Sequence, residues 1–96
     1  MEFVETIIPK CYKIILNRKE DSRGSFVKLF NADIFEKHGL ETAYKEDFYS
    51  ISHAGVIRGL HFQIPPSDHA KLVYCMLGEI VDVIVDIRKG SPAYGK

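Results

Sequence analysis

The chain has 96 residues, 13 Lys and Arg against 13 Asp and Glu, a formal net charge of zero and 46% hydrophobic residues. That length bounds it to one small domain, and the balanced charge gives no electrostatic footprint for nucleic acid or another polyanion. No apolar run approaches the roughly 20 residues of a membrane helix, and the start Met1-Glu2-Phe3-Val4-Glu5 has neither the basic end nor the apolar centre of a secretory signal.

These features lead us to expect a cytoplasmic chain without a membrane segment. Cys11 and Cys75 stand apart with no C-x-x-C spacing, and are expected to be reduced, small hydrophobes.

In chain order, Thr6 to Leu16 predicts a strand in which Pro9 marks an edge or a break. Asn17 to Gly24 is polar and rich in turn formers, and reads as a loop. Ser25 to Phe30 follows as a short strand with Phe26, Lys28 and Phe30 on one face and Val27 and Leu29 on the other. Asn31 to His38 is the helix candidate, with Asn31 as N-cap and Gly39 as the stop. Glu46 to His53 and the run through His61 to Pro65-Pro66 predict strands. Lys71 to Leu77 and Ile80 to Arg88 predict a strand pair turning at Gly78-Glu79.

Ile80 to Arg88 alternates Val81, Val83, Val85 and Ile87 with Ile80, Asp82, Ile84, Asp86 and Arg88. The charged face is either solvated or, in a small barrel, turned toward a ligand cavity. Short strands separated by turn signals, with one short helix, point to an all-β barrel or sandwich over residues 1–96 as one domain.

The stretch Gly55-Val56-Ile57-Arg58-Gly59-Leu60-His61-Phe62-Gln63 places a cation, an imidazole and an amide in a strand-like apolar run. Polar groups in such a run need partners, which fits either a lined pocket or a sheet edge with a solvated Arg and a hydrogen-bonded core His. In a regular strand Arg58 faces away from His61 and Gln63, and Gly59 is where a bulge would bring it round.

His61 is the candidate general base, because an imidazole titrates near neutral pH and moves a proton either way. Lys71 would stabilise an oxyanion, and Arg58 and Arg23 suit phosphate. For each cation the plain alternative is a solvated surface charge. His53, His61 and His69 are evenly spaced, but the position after His61 in an H-x-H pair is Gln63 and the next acid suited to the set is distant Glu79. Amides are poor ligands for transition metals, so no metal is expected.

Beyond this, Gly-Val-Ile-Arg-Gly-Leu-His-Phe-Gln at 55–63, Lys-Leu-Val at 71–73, Asp-Val-Ile-Val-Asp-Ile-Arg at 82–88 and Ser-Pro-Ala-Tyr-Gly at 91–95 resemble the dTDP-4-dehydrorhamnose 3,5-epimerase family. Asp21-Ser22-Arg23-Gly24-Ser25-Phe26 is similar to that family's early Asp-x-Arg-Gly-x-Phe motif. The resemblance covers nearly all of this chain and about the first half of a typical member.

It implies a cupin-type jelly-roll barrel, here incomplete, in a cytoplasmic homodimer that epimerises a nucleotide-linked 4-keto-6-deoxy sugar at C3 and C5 without metal or organic cofactor. It also implies His61 as base, Lys71 on the enolate oxygen, Arg58 on the substrate, Arg23 on the nucleotide and Phe26 against the base ring. Asp82 would lie behind His61 or Lys71. The acid Tyr and the Asp that orients the histidine would come from the half not represented here.

Two stretches depart from the family pattern in the expected substrate-binding region. Lys28 stands where the family has Glu, and Glu46-Asp47-Phe48-Tyr49-Ser50 stands where many members read Gln-x-Asn-x-Ser. Changed hydrogen-bonding groups alter substrate preference steeply, so Lys28, Glu46 and Phe48 bear on which nucleotide and sugar fit. A 3,4-ketoisomerase of the same fold and a non-catalytic sugar-nucleotide-binding fragment are the alternatives.

Overall fold

A computed structural model describes residues 1–66 and 68–96. They form two compact units, Met1–Thr42 with Val81–Lys96, and Ala43–Ile80. No helix among the described residues is long and apolar enough to cross a membrane.

The first unit opens with a hairpin. β1 (Glu2–Glu5) pairs antiparallel with β2 (Tyr12–Ile15), Glu2 opposite Ile15 and Glu5 opposite Tyr12. The expected strand from Thr6 to Leu16 is therefore broken near Pro9, which has no N–H to give to a ladder. Its first half is a loop held by Thr6, whose hydroxyl donates to the Cys11 carbonyl at 2.7 Å and accepts the Ile8 N–H at 3.2 Å.

β3 (Arg18–Asp21) and β4 (Gly24–Val27) form a second antiparallel pair around the two-residue turn Ser22-Arg23. Here the expected loop from Asn17 to Gly24 is half strand. A two-residue turn consumes little chain, and the polar residues of β3 keep their side chains exposed, with Arg18 and Glu20 paired in an ion bridge. Gly24, at φ +135°, closes the turn in a conformation that side chains rarely adopt.

α1 (Ala32–Lys37) follows the sequence expectation closely. The Asn31 side chain accepts the Ile34 N–H at 3.0 Å, satisfying one of the free donors at the helix start. At the other end the Gly39 N–H donates to Glu36 and the Leu40 N–H to Phe35, both at 3.0 Å, with Gly39 at φ +69°. This is a Schellman closure, and glycine supplies the left-handed residue it needs.

Phe35 is the buried aromatic of this unit. Its ring meets Phe30 edge-on at 4.7 Å and Phe3 at 5.7 Å, while Phe3 stacks on His38 at 3.8 Å. The helix is thereby fastened to the first hairpin through one ring cluster.

The same unit contains a buried charge. Asp86 is 4% exposed. Its carboxylate accepts the Arg88 N–H at 3.0 Å, Arg88 Nε at 2.9 Å and Nη2 at 2.9 Å, together with the Ser91 hydroxyl. The Asp86 carbonyl takes the Gly95 N–H at 2.8 Å. Arg88 Nη2 also donates to the Pro9 carbonyl at 2.9 Å, joining the C-terminal turn to the loop of the first hairpin. The Arg88 guanidinium, then the Ser91 hydroxyl, hold the Asp86 carboxyl well below the usual carboxylate range.

The second unit, Ala43–Ile80, contains no regular strand or helix among its described residues. The expected strands through Glu46–His53, His61 and Lys71–Leu77 do not form there, and Ile80–Arg88 contributes only an isolated parallel bridge between Asp86 and Tyr94. Alternation places apolar groups on one face, but a strand also requires a neighbour for its N–H and C=O groups. Without one, Ile57, Leu77 and Val81 remain 93%, 94% and 91% exposed. The regular structure is thus strands with one short helix, in keeping with an all-β class. The described strands make two separate two-stranded sheets and close no barrel.

Phe35→Ala is expected to cost about 3 kcal/mol, measured as a lowered urea midpoint followed by α1 circular dichroism. Asp86→Asn is expected to lower the thermal midpoint at pH 7. Because the folded Asp86 value is depressed, its contribution is complete above pH about 4 and falls away below it. The gap between parent and variant midpoints should therefore narrow as the pH is lowered from 4 to 2.

Candidate active site

The residues expected to carry chemistry fall in both units. Arg23, Phe26, Lys28 and Asp82 belong to the first, and Glu46, Phe48, Arg58, His61 and Lys71 to the second. All of them are exposed. Among the described residues, no hydrogen bond or ion pair joins two of these side chains within either unit.

Arg23 sits at the tip of the β3–β4 hairpin because a two-residue turn projects its second residue outward. Asp21, two residues earlier, accepts the Arg23 backbone N–H at 2.8 Å and its side chain through Nε at 3.2 Å and Nη2 at 2.7 Å. The side-chain hydrogen bond from Arg23, then its backbone N–H, lowers the Asp21 pKa, and the same pairing raises that of Arg23. Phe26 lies on β4 opposite Lys19, with 61% of its surface exposed. Lys28 follows the end of β4, and Asp82 lies on the stretch leading to Asp86.

In the second unit, the Val56 N–H donates to the His53 carbonyl at 3.2 Å, turning the chain ahead of Arg58. Arg58 Nε donates to the Ser52 hydroxyl at 3.0 Å, so the turn brings the guanidinium back on its own approach segment. Gly59 has φ +107°, and a β-carbon there would meet His61 Nδ1 at 3.5 Å. The imidazole therefore folds back beside Gly59. The bulge expected at Gly59 does not form, because residues 55–63 have no partner strand among the described residues in which to make one. Lys71 precedes the half-buried Leu72. Glu46 and Phe48 lie in the exposed stretch before Ser52.

Two participants were not singled out from sequence. Ser52 as the Arg58 partner left no local signal. Asp21 did, because an acid two residues before an Arg lets one carboxylate take both the backbone N–H and the side chain. The same Asp-x-Arg spacing recurs at Asp86-Ile87-Arg88 with the same pattern of donors.

Residues 5–96 match the family model described as dTDP-4-dehydrorhamnose 3,5-epimerase. The chain belongs to this family. Similar curated proteins carry the same description. One from Shigella flexneri is 42% identical over 97 residues, covering 100% of this chain and 54% of that protein. One from Methanothermobacter thermautotrophicus is 49% identical over 76 residues, covering 79% of this chain and 40% of that protein. One from Salmonella typhimurium is 41% identical over 99 residues, covering 100% and 53%. The chain thus spans about half the length of the curated relatives it matches. No solved structure gives a significant match.

Gly59→Ala would force a side chain into a left-handed backbone conformation, a strain of about 1–3 kcal/mol. The expected outcome is a shifted His61 ring resonance by NMR.

Proposed function

We propose that the chain supplies the base-bearing part of a cofactor-independent epimerase acting on a nucleotide-linked 4-keto-6-deoxy sugar at C3, C5 or both. The observation that carries the proposal is the family match across residues 5–96, the range in which Arg23, Phe26, Arg58, His61 and Lys71 lie. The chemistry suits these groups. A C–H beside a ketone is acidified because its anion delocalises onto the ketone oxygen. His61 removes that proton, Lys71 holds the developing enolate oxygen by charge, and return of a proton to the opposite face inverts the carbon. Arg58 binds the substrate, Arg23 engages the nucleotide and Phe26 packs on its base.

In this proposal residues 1–96 are part of one cupin-type jelly-roll domain in a cytoplasmic homodimer, with Asp82 behind His61 or Lys71 and no metal or cofactor required. Lys28, Glu46 and Phe48 line the substrate region and set its preference. A lysine in place of a glutamate reverses the charge offered to the ligand, so this position bears on which nucleotide and sugar fit.

The exposure of His61 and Lys71 favours one further reading, a sugar-nucleotide-binding chain that turns nothing over. Incubation in D₂O with dTDP-4-keto-6-deoxyglucose, followed by NMR, separates the two. Epimerase chemistry is expected to place deuterium at C3 or C5, and His61→Ala to slow that exchange by about 10² to 10⁴-fold. Tight binding without exchange by the parent chain supports the binding reading instead.

A further inference from the structure

We propose that Asp21 is a positioning residue that fixes the Arg23 guanidinium at the hairpin tip so that its outer edge receives an anionic oxygen of the nucleotide. The inference rests on the nucleotide-binding reading of Arg23 and adds a residue to it.

A guanidinium has two edges suited to bidentate contact, one from Nε and Nη2 and one from the two terminal nitrogens. Asp21 occupies the first, through Nε at 3.2 Å and Nη2 at 2.7 Å. The second edge, with Nη1, makes no hydrogen bond among the described residues, and the Arg23 side chain is 89% exposed. Side-on capture therefore restrains the long side chain while leaving the fork open toward solvent. Holding it in advance reduces the rotamer freedom that a phosphate would otherwise have to arrest.

The chain contains its own precedent for this device. At Asp86-Ile87-Arg88, the carboxylate again takes the Arg N–H, Nε and Nη2. There Nη2 also donates to an oxygen acceptor, the Pro9 carbonyl at 2.9 Å. An Arg held side-on by the Asp two residues before it thus retains the capacity to grip a further oxygen. At Arg88 that capacity is used within the fold, and at Arg23 it is open.

Charge alone predicts the opposite effect. Asp21 is an anion beside a site for an anion, so removing its charge without a positioning role would tighten nucleotide binding. Asp21→Asn separates the two effects cleanly, since the amide oxygen still accepts the Arg23 backbone N–H that shapes the turn, while the ionic grip on the side chain is lost.

The test is titration of the full chain with dTDP, for the parent, Asp21→Asn, Arg23→Ala and the double variant. Arg23 Nε–H is followed by ¹⁵N NMR in the same samples. We expect Asp21→Asn to weaken dTDP binding about two- to fivefold and Arg23→Ala to weaken it about tenfold or more. The double variant should bind no more weakly than Arg23→Ala, because a positioning effect vanishes with the group it positions. The Arg23 Nε–H resonance should move on Asp21→Asn. Unchanged or tighter binding by Asp21→Asn, with Arg23→Ala still weakened, overturns the inference and leaves the nucleotide reading intact. Absence of dTDP binding by the parent, or equal binding by Arg23→Ala, overturns the nucleotide reading and the inference with it.

Discussion

The first unit depends on one buried carboxylate. Burying an anion is costly unless its lone pairs are filled, and removing one partner leaves the charge stranded. Asp86 meets that demand with a guanidinium, a backbone N–H and a hydroxyl drawn from Arg88 and Ser91. The consequence reaches across the sequence, because the same guanidinium carries on to the carbonyl of Pro9. That carbonyl is in a loop whose ladder is interrupted, where an acceptor remains available for a distant donor. The proline break and the C-terminal turn thus hold each other, and the Phe3–Phe35 contact attaches the helix to the same hairpin.

The parts of this fold that were legible in the sequence are those whose hydrogen bonds are local. α1 was visible from end to end because Asn31 and Gly39 satisfy its termini within a few residues. The break at Pro9 was visible for the same reason. The β3–β4 hairpin was hidden by its polarity. Arg18 to Asp21 has no apolar alternation, and pairing with Gly24–Val27 was required to make it a strand. The converse holds for Ile80 to Arg88. Its alternation is the clearest in the chain, yet periodicity states only which side chains share a face, and a strand exists only where another backbone lies beside it.

The candidate site divides along the same line. Arg23 lies within the stretch read as a turn-forming loop, because turn chemistry is local, whereas the bulge read at Gly59 needed a partner strand that is absent among the described residues. A meeting of the proposed base, oxyanion partner and nucleotide contact would not be local, and the described residues of each unit leave those side chains uncoupled. Family resemblance supplied the roles there. The residues themselves supplied only a capacity for proton transfer and for binding an anion.

Exposure has a chemical meaning for His61 and Lys71. The attraction between a lysine and an enolate is weak in water and grows as solvent is excluded. Apolar residues near His61 in the sequence, Ile57 and Leu60, are 93% and 74% exposed, and burying such groups would exclude solvent. The hydrophobic free energy of covering them, roughly 25 cal/mol per Å², would accordingly do two things at once. It would give the unpaired segments their neighbours, and it would lower the dielectric around the base and the cation. In the proposed reading, strand pairing and catalytic strength in this stretch would be the same requirement: packing that paired residues 55–63 would also strengthen His61 and Lys71 toward a carbon acid.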